Sequence, residues 1–193
     1  MIKDWRSKWK QGDLPFLFVQ LPGFLDYQYL PSESQWAAFR EAQAKSLSVP
    51  RTAMAVAIDV GEWNDVHPDR KKEVGERLAL AAEKTTNKEN IVYSGPVYQS
   101  SVVQAGKIII SFSNVGSGLT TNDGEVPGEF AIAGTDKKFT WATATIEGDK
   151  IIVSAKDVPD PKYVRYAWAD DPVNPNLINK EGLPAAPFRT DEQ

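Results

Sequence analysis

The sequence predicts an α/β unit, half of a three-layer α/β/α domain, followed by an antiparallel β-sandwich-like unit, with the change between residues 88 and 89. Three observations carry this expectation. Two runs, 14–21 and 53–60, are almost continuously apolar rather than alternating, which is the pattern of strands buried on both faces of a mostly parallel sheet. Segments with apolar residues at helical spacing flank them, giving the order helix, strand, helix, strand, helix. From about residue 90 the texture shifts to short strand-like runs. They are separated by turn signals such as Asn122-Asp123-Gly124, Glu147-Gly148-Asp149 and Pro159-Asp160-Pro161, as in a sandwich or jelly-roll-like unit.

In chain order, Trp5 and Trp9 alternate with charges over 1–11, which reads as an amphipathic helix stopped by Gly12. The run 14–21 is the first buried strand. Gln20, near its carboxyl end, either faces the cleft at the strand ends or hydrogen-bonds loop backbone. Residues 22–34 form a loop rich in aromatics: Phe24, Tyr27 and Tyr29. Ser32 or Ser34 caps a helix over 35–46 with Trp36, Phe39 and Ala42/Gln43 on its inner face, and Val49-Pro50 ends it. Strand 53–60 stops at Gly61. A polar turn with Pro68 then leads to a helix over 69–85, Pro68 lying near its first position and Val74 and Leu78 turned inward.

Later strands are expected at 91–103, 107–113, 128–133, 140–146, 150–155 and 163–168, with a hairpin across Glu147-Gly148-Asp149. The tail from Ala169, with Pro172, Pro175, Pro184 and Pro187, reads as irregular and pinned by Trp168, Leu177, Leu183 and Phe188. Asp170-Asp171 reads as a solvated turn.

Composition narrows the classes. A chain of 193 residues with 41% hydrophobic and 25% charged residues is globular material with a substantial core. A net charge of −4 gives no basic footprint, so nucleic acid is not an expected partner. With no cysteine there is no disulfide and no thiolate metal site. No apolar run approaches the roughly 20 residues that span a bilayer, and charged residues after Met1 interrupt any signal-like segment.

The single histidine, His67, sits in the turn after strand 53–60, at the carboxyl end where open α/β sheets carry their chemistry. Histidine exchanges protons near neutrality, and a carboxylate beside it fixes its tautomer and stabilises the imidazolium. Asp59, Glu62 and Asp65 are all close enough in sequence to serve. These carboxylates with Asp69 also suggest a hard-metal site, but one flexible turn without a second histidine is a poor cage, and no metal is expected.

Six ordered blocks resemble the sialate O-acetylesterase family of the SGNH hydrolase group: DWRSKWKQGDLPFLFVQL (4–21), WAAFREAQ (36–43), MAVAIDVGEWNDVHP (54–68), KKEVGERLALAA (71–82), YSGPVY (93–98) and VRYAWADDPVNPNLINKEGLPAAPFRTD (164–191). The likeness extends over essentially the whole chain. It implies the C-terminal part of an SGNH, flavodoxin-like α/β/α hydrolase domain ahead of the β unit. In that group Asp and His come from one short segment spaced Asp-x-x-His. Here the residue three before His67 is Asn64 and the aspartate is Asp65, so His67 carries over directly and Asp65 with a shift in spacing.

The group's early serine block, Gly-Gln-Ser-Asn-like, has no counterpart, and Ser117 in Gly116-Ser117-Gly118 has the wrong flanks. The resemblance implies hydrolysis of O-acetyl esters on sialic acid or related sugars, with His67 as general base and acid, Asp65 as its orienter, and no cofactor. The serine half would come from outside this chain, as a second polypeptide, or self-association would cover the same surface. The family suggests a secreted or periplasmic setting. Gln20 and Arg165 are the candidate substrate-binding residues. Arg165 and Arg189 lie in resembling blocks, where an arginine either grips a sugar carboxylate or ties the two units together. The aromatics of 22–34 either pack or line a sugar site. The rival readings are an esterase of the same fold acting on another acetylated polysaccharide, and a non-catalytic remnant or sugar-binding module.

Overall fold

A computed structural model describes residues 1–87 and 90–192. Its first part carries α1 (Ile2–Trp9), β1 (Phe16–Val19), α2 (Gln35–Lys45), β2 (Thr52–Ala55) and α3 (Lys71–Ala82). Strands β1 and β2 run parallel, in register from Phe16 opposite Thr52 to Val19 opposite Ala55. The ladder stops at Ala55, but Val56, Ala57 and Ile58 remain buried beyond it. Residues 53–60 thus read as one strand because burial continues past the end of pairing.

The second part is a sandwich of two antiparallel sheets. One has the order β3 (Val97–Gln104), β4 (Lys107–Ser113), β9 (Lys150–Ser154), β8 (Thr143–Glu147). The other runs β12 (Phe188–Arg189), β10 (Tyr163–Tyr166), β6 (Phe130–Ala133), β7 (Thr140–Trp141). A separate pair joins β5 (Leu119–Thr121) to β11 (Leu177–Asn179). Alternation along β4 and β9 sends Ile108, Ile110, Phe112, Ile151 and Val153 inward to meet Phe130, Ile132, Val164 and Tyr166. Met54, Val56 and Ile58 join the same apolar cluster, so the core is continuous from the α/β part into the sandwich.

Three expectations need correction. The tail is not irregular: it supplies β11 and β12, and Leu177, Leu183 and Phe188 are buried. Its strands are too short for periodicity to reveal. Asp171 is not solvated but buried at 5% exposure. The inner helix faces also differ. Phe39 is 58% exposed while Arg40 is fully buried, and in α3 the buried side chains are Arg77 and Ala81, with Val74 and Leu78 only half-buried.

Each of these helices turns an arginine inward, and in each case the guanidinium donates to main-chain carbonyls. Arg6 reaches Leu14 O (2.7 Å) and Pro50 O (2.8 Å), tying the starts of both strands. Arg77 reaches Val56 O (2.8 Å) and grips Asp59 through two 2.7 Å bonds. Arg40 donates to Pro22 O (3.0 Å), Asp170 O (3.1 Å) and Ala169 O, joining α2, the 22–27 loop and the tail. Buried carbonyls need donors, and a planar five-donor group supplies several at once.

The same junction admits no side chain at two glycines. A Cβ on Gly61 would lie 2.2 Å from Gly23 O, and one on Gly23 would lie 2.1 Å from Asp171 Oδ1. Burial pushes the Asp171 carboxyl up to about 6, against the attraction of Arg40. Ser34 caps α2 by accepting from Ala37 N at 2.8 Å.

Two outcomes follow from this junction. Arg40→Met should lower stability by about 1–3 kcal/mol, read as a lower urea midpoint with unchanged slope. Asp171 binds its proton more tightly folded than unfolded. Its contribution is therefore intact below about pH 4 and is lost as pH rises towards about 6. Relative to the parent chain, Asp171→Asn should gain stability between pH 4 and pH 7, and denaturant melts at the two pH values check this.

Candidate functional site

The parallel pair sets the geometry. Beyond β1 the ladder is extended by Gln20 N donating to Ala55 O at 2.9 Å, so Gln20 and Val56 mark the carboxyl edge. The chain then turns, with Val60 N bonded to Ala57 O, and enters a second tight turn in which Asp65 N donates to Glu62 O at 3.2 Å. That turn delivers His67 beside the strand ends. His67, Gln20, Val19, Ala57, Val66 and Val74 line one cleft of about 290 Å3.

Each carboxylate left open by the sequence has a distinct position. Asp59 is committed to Arg77. Glu62 accepts from Asp69 N at 3.0 Å. Asp65 Oδ1 accepts from His67 N at 2.7 Å and lies 3.3 Å from His67 Nδ1. The Asp65 carboxyl is held below the ordinary carboxylate range, first by the main-chain N–H of His67 and further by its ring. It is thus ionised at neutral pH and can accept from an Nδ1–H, the tautomer that would leave Nε2 free to take a proton. Both side chains are open to solvent, at 82% and 56% exposure. This arrangement can orient an imidazole for proton transfer at the sheet edge.

Gln20 lines the cleft, and the main chain it bonds is that of helix α2 rather than of a loop. It is fully buried and its Nε2 donates to Arg40 O at 3.2 Å, while its Oε1 is buried without a protein partner. Gln20 and His67 line the same cleft, with the Gln20 amide oxygen sealed inside its wall.

Arg165 is not among the residues lining this cleft. Its guanidinium bonds Asp191 at 2.6 and 3.0 Å and Glu33 at 2.8 Å, and lies 3.9 Å from the Phe139 ring. Arg189 is held by Glu41 at 3.1 Å and Glu192 at 2.6 Å. Both arginines tie the β unit to the α/β part. Ser117 donates to Glu181 Oε1 at 2.6 Å within the β unit. No group of three or more potential metal-ligating side chains occurs among the described residues.

Sequence reasoning missed the interlock of Gly23, Gly61, Arg40 and Asp171 behind the site. The pairing of a glycine after each strand was the available signal, since a glycine there permits backbone contact. Leu25, with φ 81°, is held in the left-handed region while its N–H donates to Trp63 O at 2.8 Å. A leucine has no local preference for that conformation.

No protein-family model matches the chain, and comparison with curated proteins also gave no match. Among solved structures, a carbohydrate acetylesterase from Xanthomonas citri superposes with a TM-score of 0.92 at 44% sequence identity, over 100% of this chain and 45% of that one. The chain therefore spans less than half the length of that enzyme. The likeness agrees with the architecture described above: part of an α/β hydrolase domain followed by a β-sandwich-like unit.

Proposed function

We propose that this chain is the histidine-bearing part of a carbohydrate esterase that removes O-acetyl groups by a Ser-His-Asp mechanism of the SGNH type. One observation carries this reading: the likeness of the whole of this chain, at 44% identity, to 45% of a carbohydrate acetylesterase. The His67–Asp65 pair at a sheet edge supplies chemistry consistent with it. In the proposed reaction, His67 Nε2 takes the proton of a serine hydroxyl as the serine attacks the acetyl carbonyl. It then gives that proton to the departing sugar oxygen. Water repeats the sequence, releasing acetate. Asp65 fixes the ring and stabilises the imidazolium. Gln20, which lines the same cleft, is assigned to the wall against which the substrate binds.

No serine lines the cleft around His67, so the nucleophile and the oxyanion donors are assigned to a segment outside residues 1–193. The open edge of β1 supports this: among the described residues no strand pairs with its outer side, and its four residues are only half-buried. We assign that edge to a parallel strand of the serine-bearing half, or to a second copy of this chain in its absence.

The resemblance points to sialic acid as the sugar. That substrate carries a carboxylate, and both candidate anchors, Arg165 and Arg189, are already committed to carboxylates of the chain itself. Neither arginine lines the cleft, and the cation that does, Lys71, bonds Pro68 O, so the substrate proposed is an acetylated neutral sugar, tested against acetylated sialate in a substrate panel.

The purified chain alone should not turn over a small chromogenic acetate. Supplied with the serine-bearing half, it should do so, with His67→Ala costing about 10²–10⁴-fold in kcat while leaving the fold intact. Turnover by the chain alone that vanishes in His67→Ala would instead identify a serine within it as nucleophile. Sedimentation tests the open edge: the isolated chain is expected as a species larger than a monomer that becomes a heterodimer with the missing half. A cooperative, concentration-independent monomer would count against this assignment.

A further inference from the structure

Beside the candidate site, several aromatic side chains are exposed where packing would ordinarily bury them. Trp63, in the same turn as Asp65, is 51% exposed; Tyr27 is 43% and Tyr29 76% exposed. They belong to segments joined by bonds. Leu25 N donates to Trp63 O at 2.8 Å, which fixes the 22–27 loop against the turn of His67. Tyr27 bridges to Asp171. Tyr29 O accepts from Trp141 Nε1 at 2.9 Å, which carries the row onto the sandwich, where Trp141 is 37% exposed.

The backbone beneath this row is held firmly. Phe24 packs on Trp36 at 5.6 Å, Arg40 holds Pro22 O, and Gly23 lies against Gly61. Leu25 keeps its strained φ of 81° within that frame. Strain kept in a loop that presents exposed rings points to a function for the loop rather than to its packing.

We propose that Trp63, Tyr27, Tyr29 and Trp141 form a sugar-stacking rim. It leads away from His67 and binds the residues of a glycan chain flanking the acetylated one. This rests on the carbohydrate-esterase reading above. The rings offer flat apolar faces to the C–H faces of pyranose rings, and four rings outnumber the two faces of one pyranose, so the ligand proposed is an extended chain. Charge narrows it further. The ionisable residues within and beside the rim segments include Asp26, Glu62, Asp65 and Asp69; of the cations there, Arg70 bonds Glu73 and Asp59 O, Lys71 bonds Pro68 O, and the Arg165 guanidinium is spent on Glu33 and Asp191. Such a rim favours a neutral glycan over an anionic one.

The test is affinity electrophoresis of the full chain in gels containing acetylated xylan, acetylated glucomannan or polysialic acid, which needs no turnover. The parent chain should be retarded by at least one neutral polymer and not by polysialic acid. Trp63→Ala and Tyr29→Ala should each weaken that retardation by about 5- to 10-fold, and Trp63→Phe should retain most of it. Circular dichroism melts should match the parent chain. Retardation unchanged in both alanine variants, retardation by polysialic acid alone, or no retardation by any polymer overturns the proposal. Binding that depends on Trp63 while the completed enzyme shows no acetylesterase activity would retain the rim and remove the esterase reading. Acetylesterase activity with no effect of Trp63→Ala on binding would do the reverse.

Discussion

Arg40 sits on helix α2, yet its guanidinium bonds the carbonyl of Pro22 on one side and those of Ala169 and Asp170 on the other. The first lies at the end of the first strand and the others in the returning tail. Around this side chain Ser34 bonds Asp170, Gly23 backs onto Asp171, and Gly61 backs onto Gly23. Burial lowers the Arg40 pKa to about 10, so the group remains a cation at neutral pH in spite of its surroundings. The turn that presents His67 is thus held from behind by the contact of Gly61 with Gly23 and from within by Asp65 and Glu62, which accept from the N–H groups of His67 and Asp69. Such a frame lets the two solvent-exposed residues of the pair keep a defined geometry.

The position of this frame explains what was legible in the sequence. Continuous apolar runs revealed β1 and β2, although only β2 is largely buried here and all four residues of β1 are half-buried. The hairpin across Gly148 was equally plain, with Glu147 pairing to Lys150 and φ 61° at the glycine. The helix faces were not. Periodicity searches for apolar stripes, and here the inward positions are held by Arg6, Arg40 and Arg77, whose donors match buried carbonyls. Phe39 was drawn inward for the same reason and lies outside. Strands β11 and β12 escaped because they are short and flanked by prolines, and their partners, β5 and β10, lie far off in sequence.

For the candidate site, composition alone directed attention to His67, and the strand–turn–helix pattern put it at the carboxyl edge. Which carboxylate faces it could not be read from spacing, because tertiary contacts decide it. Arg77 removes Asp59, a main-chain bond to Asp69 occupies Glu62, and Asp65 is left beside the ring. Arg165 shows the converse. A lone arginine in a polar block looks available until its partners, Glu33 and Asp191, are brought to it by the fold.

The half-buried strand Phe16–Val19 has a consequence for how the molecule is made. If that outer edge takes a partner, as proposed, it is satisfied by whichever strand arrives first. Pairing with the intended neighbour requires a crossover of the chain or the meeting of two different polypeptides. Edge-to-edge pairing with another copy requires only a collision. The second route is bimolecular in this chain, so its share of newly made molecules rises with their concentration while docking of a covalently linked neighbour does not. On this reading, yield on refolding is governed by dilution more than by the final free energy of the native state.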